Sequence, residues 1–288
     1  MAQIREIKNR IKSVKNIGQI TKAMKMVATA RLKKAQQRIL GARPYAQRMA
    51  DVMKNLASKT GPEVHPLLTV RAEGKTALLV ITADRGLCGS FNTSVLRQAH
   101  GYLRENPDTV LLTVGKKGRD YFKRRGFSIR REWLGVFPHI PYETVLEMRD
   151  EIESLFITEK YKSILVLYTD FKSVMTQMVT LETLLPIKTQ VVEGGGKTAD
   201  HSGGDYEFEP TVEAILEKLI SQYLATQIHR FLLESFSSEM AAKRNAMESA
   251  SKNASEMIGR LTLEFNRARQ AMITKELAEI VGCAAALQ

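Results

Sequence analysis

The sequence predicts a mixed fold, α/β plus a long coiled coil: an antiparallel pair of N- and C-terminal helices with an α/β domain inserted between them. Three observations predict it. Ile4, Ile7, Ile11 and Val14 recur at alternating three- and four-residue steps, the seam of a coiled coil. From residue 211 to 281 there is no Pro and a single Gly, Gly259, and Met247, Ala250, Ala254, Met257 and Leu261 keep the same steps. Between these two stretches the periodicity changes to short apolar runs that alternate with helical segments, the pattern of a mainly parallel sheet covered by helices.

The elements follow in order. The first helix is expected over residues 2–59, roughly 80 Å at 1.5 Å per residue; Gly41 and Pro44 allow a bend, and Gly61–Pro62 ends it. Residues 77–82 (ALLVIT) and 110–114 (VLLTV) have strand length and composition, and each leads through Gly into a helical stretch. Residues 142–158 are amphipathic, with Val145, Met148, Ile152, Leu155 and Phe156 on one side. Residues 163–169 (SILVLYT) read as a third buried strand and 174–185 as a longer one at an edge. The result is a Rossmann-like α/β domain over 74–192, between a shaft helix at 1–60 and another at 210–288. Residues 193–209 join them, beginning with the flexible EGGGKTADHSGGD. The final helix runs to about 285, on the order of 110 Å if straight.

Helices that pair across an insertion must be antiparallel, so the domain is expected at one end of a rod. The three-four repeat implies left-handed winding. Gly18, Ala28, Met247, Ala250 and Ala254 line its middle and allow close approach while burying little area. A two-stranded rod leaves its outer faces uncovered, and a surrounding partner is inferred.

Charge is distributed unevenly. The first fifty residues carry 13 Lys or Arg against one acid, Glu6, so the formal excess of +12 sits on the first helix. Arg5, Lys8, Lys12, Lys15 and Lys22 form a ridge about 100° from the seam. Three readings of this ridge stand: a solvated face, a nucleic-acid helix, or a surface facing acidic protein loops. A solvated face normally mixes signs, and a nucleic-acid helix normally interleaves aromatics, whereas the first here is Tyr45. The acidic protein partner is favoured, and a coiled-coil nucleic-acid-binding protein is the alternative. The basic, acid-poor start has the composition of a presequence, but its seam begins at Ile4, so it is read as mature protein.

Enzymatic chemistry is not legible. Cys88 and Cys283 have no paired spacing, and His65, His100, His139, His201 and His229 are scattered, so neither a disulfide framework nor a metal or other cofactor is expected. The segment 82–92, TADRGLCGSFN, sits at a strand-to-helix turn where phosphates bind in α/β folds, but it has no P-loop Lys and does not match the dinucleotide fingerprint. Gly86 and Gly89 are explained more simply by a tight turn. The GKKG at 115–118 fails the P-loop pattern as well. No apolar run reaches the roughly 18 residues of a membrane span. Near the C-terminus, with Leu261, Phe265, Ala268 and Met272 turned inward, Arg267, Gln270 and Thr274 form an outward polar stripe. The end, IVGCAAAL at 280–287, is apolar enough to call for a socket in another subunit.

Three long blocks, IREIKNRIKSVKNIGQITKAMKMVATARL, ITADRGLCGSFN and SKNASEMIGRLTLEFNRARQAMITKELAEIVG, resemble the gamma subunit of F-type ATP synthase, in order and over the whole chain. The resemblance implies a non-catalytic rotor shaft inside a ring of three alpha and three beta subunits, with the catalytic chemistry on beta. Its α/β foot would rest on the membrane c ring beside epsilon, with delta in the same complex, peripheral to the cytoplasmic face of a bacterial inner membrane. Rotation of the c ring would drive ATP synthesis coupled to proton transport. Carried over residue by residue, the TKAMKM block places Met24 and Lys25 at the face toward beta. RQAMIT and its continuation place Arg269, Gln270, Thr274 and Glu276 at a loop of beta, and YEFEP places Tyr206, Phe208 and Glu209 at the c ring. Phe208 lacks a hydroxyl common there, Lys243 stands where Arg is common, and Cys283 where a small residue is common. The redox cysteine pair of the chloroplast form has no counterpart.

Overall fold

The structure, a computed structural model, describes residues 2–59, 65–187 and 212–286. Helix α1 spans Ala2–Lys59 with Pro44 inside it, and α5 spans Val212–Ala286. Between them lie β1 (Thr76–Ile81), α2 (Phe91–Glu105), β2 (Val110–Val114), α3 (Lys116–Lys123), β3 (Ile129–Trp133), α4 (Tyr142–Ile157), β4 (Ser163–Phe171) and β5 (Gln177–Leu185). A single 3₁₀ turn, Pro66–Leu68, precedes β1. The chain forms two compact units that divide within the long helices: Met1–Ala30 with Lys243–Gln288, and Arg31–Ala242.

The first unit is a two-helix coil. A Cβ on Gly18 would lie 3.5 Å from the Ala254 Cβ, and Lys25 Nζ lies 3.4 Å from Glu248 Oε1. Advancing along α1 means retreating along α5, so the helices are antiparallel. The same register sets Val14 beside Ile258, Ile11 beside Leu261, Ile7 beside Phe265 and Ile4 beside Ala268, all half-buried. Small side chains hold the middle: Thr21, Ala28 and Ala254 are buried, and the Thr21 hydroxyl folds back onto the Gly18 carbonyl at 3.0 Å. The seam of α5 departs from expectation at one step. Met257 is 51% exposed and Ile258 faces the partner, because the sevenfold repeat through Phe265 and Met272 runs back to residue 258.

The second unit is a five-stranded sheet in the order β3-β2-β1-β4-β5, parallel except for β5, which returns antiparallel along β4. Alternate residues of β1 face opposite layers. Leu78 and Val80 pack with Val95, Ala99 and Leu103 of α2 and Phe122 of α3. Ala77, Leu79 and Ile81 pack with α4, with Leu32 and Ala35 of α1, and with α5 from Ile220 to Ala241. Burial on both faces explains why these strands read as continuous apolar runs.

Two elements differ from the sequence reading. β3 is not expected from sequence, because IRREW carries three charges in five residues. It is an edge strand whose Arg130 and Arg131 reach Glu159, Glu151 and Glu147, leaving Trp133 to bury. β5 begins at Gln177 because 173–176 form the hairpin turn, with the Ser173 hydroxyl accepting from the Met175 and Thr176 amides at 3.3 and 3.0 Å.

Gly115 and Gly18 test this packing in opposite directions. At Gly115, φ is 90° and a Cβ would fall 2.1 Å from the Thr82 carbonyl oxygen, so Gly115→Ala should cost at least about 2 kcal/mol. At Gly18 a Cβ would meet Ala254 at an ordinary van der Waals distance on a helical backbone, so Gly18→Ala should be neutral or stabilise by up to about 1 kcal/mol. Urea unfolding of the two variants measures both.

Candidate partner-binding surface

The two places where a function could reside are the crevice of the sheet and the outer face of the coil. The crevice lies at the carboxyl ends of β1 and β4, where the strand order reverses and open α/β sheets bind ligands. Here protein fills it. The Thr82 hydroxyl donates to the Val114 carbonyl at 2.9 Å and accepts from the Gly118 amide at 2.8 Å. Asp84 Oδ1 accepts from the amides of Lys116 and Gly135 at 3.0 and 3.2 Å, and Asn92 Oδ1 accepts from the Ala83 amide at 2.9 Å. Helix α5 closes the end of β4: the Ser235 hydroxyl accepts from the Thr169 amide at 3.3 Å, and the Ser238 hydroxyl donates to its carbonyl at 3.1 Å. Ala83, Cys88 and Phe91 form a small apolar cluster against Ala242. Gly115 and Gly118 of GKKG therefore serve close packing on Thr82, and Gly89 of TADRGLCGSFN a turn with φ of 57°.

The coil surface is different in kind. Arg5, Lys8, Lys12, Lys15 and Lys22 are all exposed. Arg267, Arg269, Gln270, Thr274 and Glu276 are exposed too, while Leu261, Phe265, Ala268 and Met272 are half-buried in the seam. The Thr274 hydroxyl donates to the Gln270 carbonyl one turn back, at 2.9 Å, so its oxygen is left as an acceptor. Met24 is half-buried. Lys25 occupies a seam position and is held by Glu248, whose other oxygen lies 4.0 Å from Arg244 Nη2. Lys25 thus faces α5 more than an outside partner. Tyr206, Phe208 and Glu209 lie outside the described residues.

Two features of this surface escape the sequence reading. Ile17, Ile20 and Val27 are 51%, 58% and 52% exposed and, with Met24, make a second apolar stripe one position ahead of the seam. Its steps of three, four and three are a readable signal, masked by the neighbouring seam of the same period. The second feature is an overhang. Because Ile4 already pairs with Ala268, α5 runs on past the first turn of α1, and every residue from 273 to 280 is exposed. Ile273, Leu277 and Ile280 are 45%, 57% and 65% exposed on it. Apolar side chains at such spacing on a single helix mark a contact surface.

A family profile described as ATP synthase matches residues 3–287. The ATP synthase gamma chain of Heliobacterium modesticaldum is 44% identical over 289 residues, covering all of both chains. The chain belongs to the ATP synthase gamma-chain family. Gamma chains of Pelotomaculum thermopropionicum and Anaeromyxobacter sp. strain K are each 43% identical, again over the full length of both chains. Among solved structures, a chain of the central stalk and c-ring of the Tetrahymena thermophila mitochondrial ATP synthase is 27% identical with a TM-score of 0.61, over 81% of this chain and 99% of that one. A chain from the Euglena gracilis mitochondrial ATP synthase shares the fold at 20% identity and a TM-score of 0.68, over 99% of this chain and 95% of that one. Long terminal helices around a mixed sheet are thus the architecture of this family, and the nucleic-acid reading finds no support among these relatives.

If the overhang makes no contribution to the coil, ending the chain at Met272 should leave the urea midpoint of the remaining protein unchanged within error. A midpoint lowered by more than about 1 kcal/mol equivalent would show that the last turns pack on the rest of the chain.

Proposed function

We propose that this chain is the central rotor shaft of an F-type ATP synthase, carrying rotation of a membrane c ring to catalytic beta subunits, so that ATP synthesis is coupled to proton transport. Full-length identity to bacterial gamma chains carries this reading, and the exposed face of the coil supplies its physical basis. Three alpha and three beta subunits surround the coil, with epsilon and the c ring at the α/β domain and delta in the same complex. In this reading, residues 1–60 and 210–288 are the shaft, 74–192 the foot, and 193–209 the ring-contact segment with Tyr206, Phe208 and Glu209. The complex sits at the cytoplasmic face of a bacterial inner membrane. No described helix is long and apolar enough to cross a membrane, and contact with the bilayer runs through the ring.

The chain itself is non-catalytic and holds no cofactor in this account. Coupling requires that the shaft bind the successive conformations of beta unequally, since a ligand shifts an equilibrium only by its differential affinity. Arg269, Gln270, Thr274 and Glu276 serve that purpose as exposed polar groups on a helix that emerges from its coil. A guanidinium pairing with a carboxylate in one rotary state alone biases that state by about 1.5–3 kcal/mol, and a neutral amide by about 1 kcal/mol. Met24 and the apolar stripe around it serve as the bearing surface on α1, and Lys25 holds that stripe in place through Glu248.

Reconstitution tests the assignment. The purified chain should hydrolyse no ATP, and mixing it with alpha and beta subunits should yield a complex with one copy of this chain. Sustained ATP turnover by the isolated chain would refute the assignment.

Arg269→Ala and Gln270→Ala test the site. Both remove exposed side chains, so melting of the isolated chain should move by no more than about 0.5 kcal/mol. ATP-driven proton pumping or complex yield should fall severalfold. Early melting with normal coupling would make the stripe a structural element.

A further inference from the structure

A second surface lies within the unit formed by residues 31–242 and uses none of the positions assigned above. Arg31, Lys34 and Arg38 follow one another at three- and four-residue steps along α1, so their side chains share one stripe. That stripe forms one side of a pocket of about 170 Å³ completed by Ala35, Pro138, His139 and Phe236. The floor and wall are firm: Ala35 and Phe236 are buried, and the Phe236 ring stacks on Phe137 at 5.7 Å and 8°. Arg38 Nη1 donates to the carbonyl of His139, a second lining residue, at 3.5 Å.

Among the described residues no carboxylate lines this pocket, and none forms an ion pair with Arg31, Lys34 or Arg38. Elsewhere in the same unit some cations sit beside acids, Arg119, Lys123, Arg130, Arg131 and Arg230 among them, and others are exposed to solvent, such as Arg104; what sets Arg31, Lys34 and Arg38 apart is that they share the wall of one pocket. The charge of Arg38 is felt by its surroundings: desolvation, and then Arg38, hold the pKa of the half-buried His229 below its ordinary value. Three uncompensated cations against an aromatic and aliphatic wall are an electrostatic site without its counter-charge. We propose that this pocket binds a phosphate group, free or carried on a nucleotide. Two guanidinium forks match the oxygens of a phosphate, the ammonium of Lys34 adds a point charge, and the apolar wall strengthens each contact by lowering the local polarity. A single carboxylate would engage one fork and leave two charges unmet. A space of about 170 Å³ has room for one or two phosphoryl groups.

The test is calorimetric titration of the full chain, near 0.1 M salt, with inorganic phosphate, pyrophosphate, ATP and a glutamate-rich peptide. Pyrophosphate should bind saturably at one site, with affinity about tenfold lower in Arg38→Gln and in Arg31→Gln. Arg104→Gln removes the same charge from an exposed position on α2 and should leave binding unchanged. ATP binding tighter than pyrophosphate identifies a nucleotide as the source, and equal or weaker ATP binding identifies the free anion. Three results overturn the proposal: no saturable binding by any phosphate compound, an equal loss in Arg104→Gln, or a peptide that binds more tightly than pyrophosphate. Circular dichroism of each variant, with Lys34→Gln as a further pocket variant, separates lost binding from lost folding.

Discussion

The close approach of α1 and α5 at Gly18 and Ala254 sets the register on which the surfaces of the coil depend. With no side chain at one position and a methyl at the other, the backbones meet, and the seam pairs follow at alternating steps of four and three toward Ile4 and Ala268. Shifting that register by one residue would turn Leu261, Phe265 and Met272 outward and bury Arg269 or its neighbours. The register also determines that α5 outlasts α1, leaving Ile273, Leu277 and Ile280 exposed. The helices bury too little in their middle for large apolar contacts to dominate, since Gly18, Thr21, Ala28 and Ala254 contribute small areas. A coil built in this way is narrow and exposes two apolar stripes, which suits a shaft enclosed by other subunits.

The α/β domain achieves a different outcome from a familiar sheet. Its strand order creates the crevice in which doubly wound folds hold nucleotides, but α5 supplies Ser235, Ser238 and Ala242 to that end of the sheet. The Thr82 hydroxyl and Asp84 Oδ1 take up the amides of Lys116, Gly118 and Gly135. The polar groups that a phosphate would need are therefore committed to joining the strand ends to the loops. The fold retains the topology of a binding domain and uses it as an attachment for the long helix.

Much of this is legible in the amino-acid order. Helix α1 is readable to its ends because Ile4 to Val14 declare the period and Gly61–Pro62 stop it. The strands at 110–114 and 163–169 are readable because burial on both faces leaves apolar runs, although the second extends to Phe171. β3 is not, because an edge strand that pairs Arg130 and Arg131 with glutamates from elsewhere looks like a charged loop until those partners are in place. The outward placement of Arg269, Gln270 and Thr274 follows from helical period alone. The overhang does not, since it depends on which residue of α1 faces which residue of α5, and neither helix encodes that by itself. Lys25 shows the same limit: its block resembles a contact toward beta, yet its side chain is turned to Glu248 across the seam.

The central claim is that this chain turns within a ring of catalytic subunits and does no chemistry of its own. The most direct measurement attaches a visible probe to the α/β domain in a complex whose alpha and beta subunits are fixed to a surface, and follows the probe during ATP hydrolysis. The account predicts sustained rotation in one direction that stops when ATP is withdrawn. A probe that stays still while the same complexes hydrolyse ATP at full rate would contradict it.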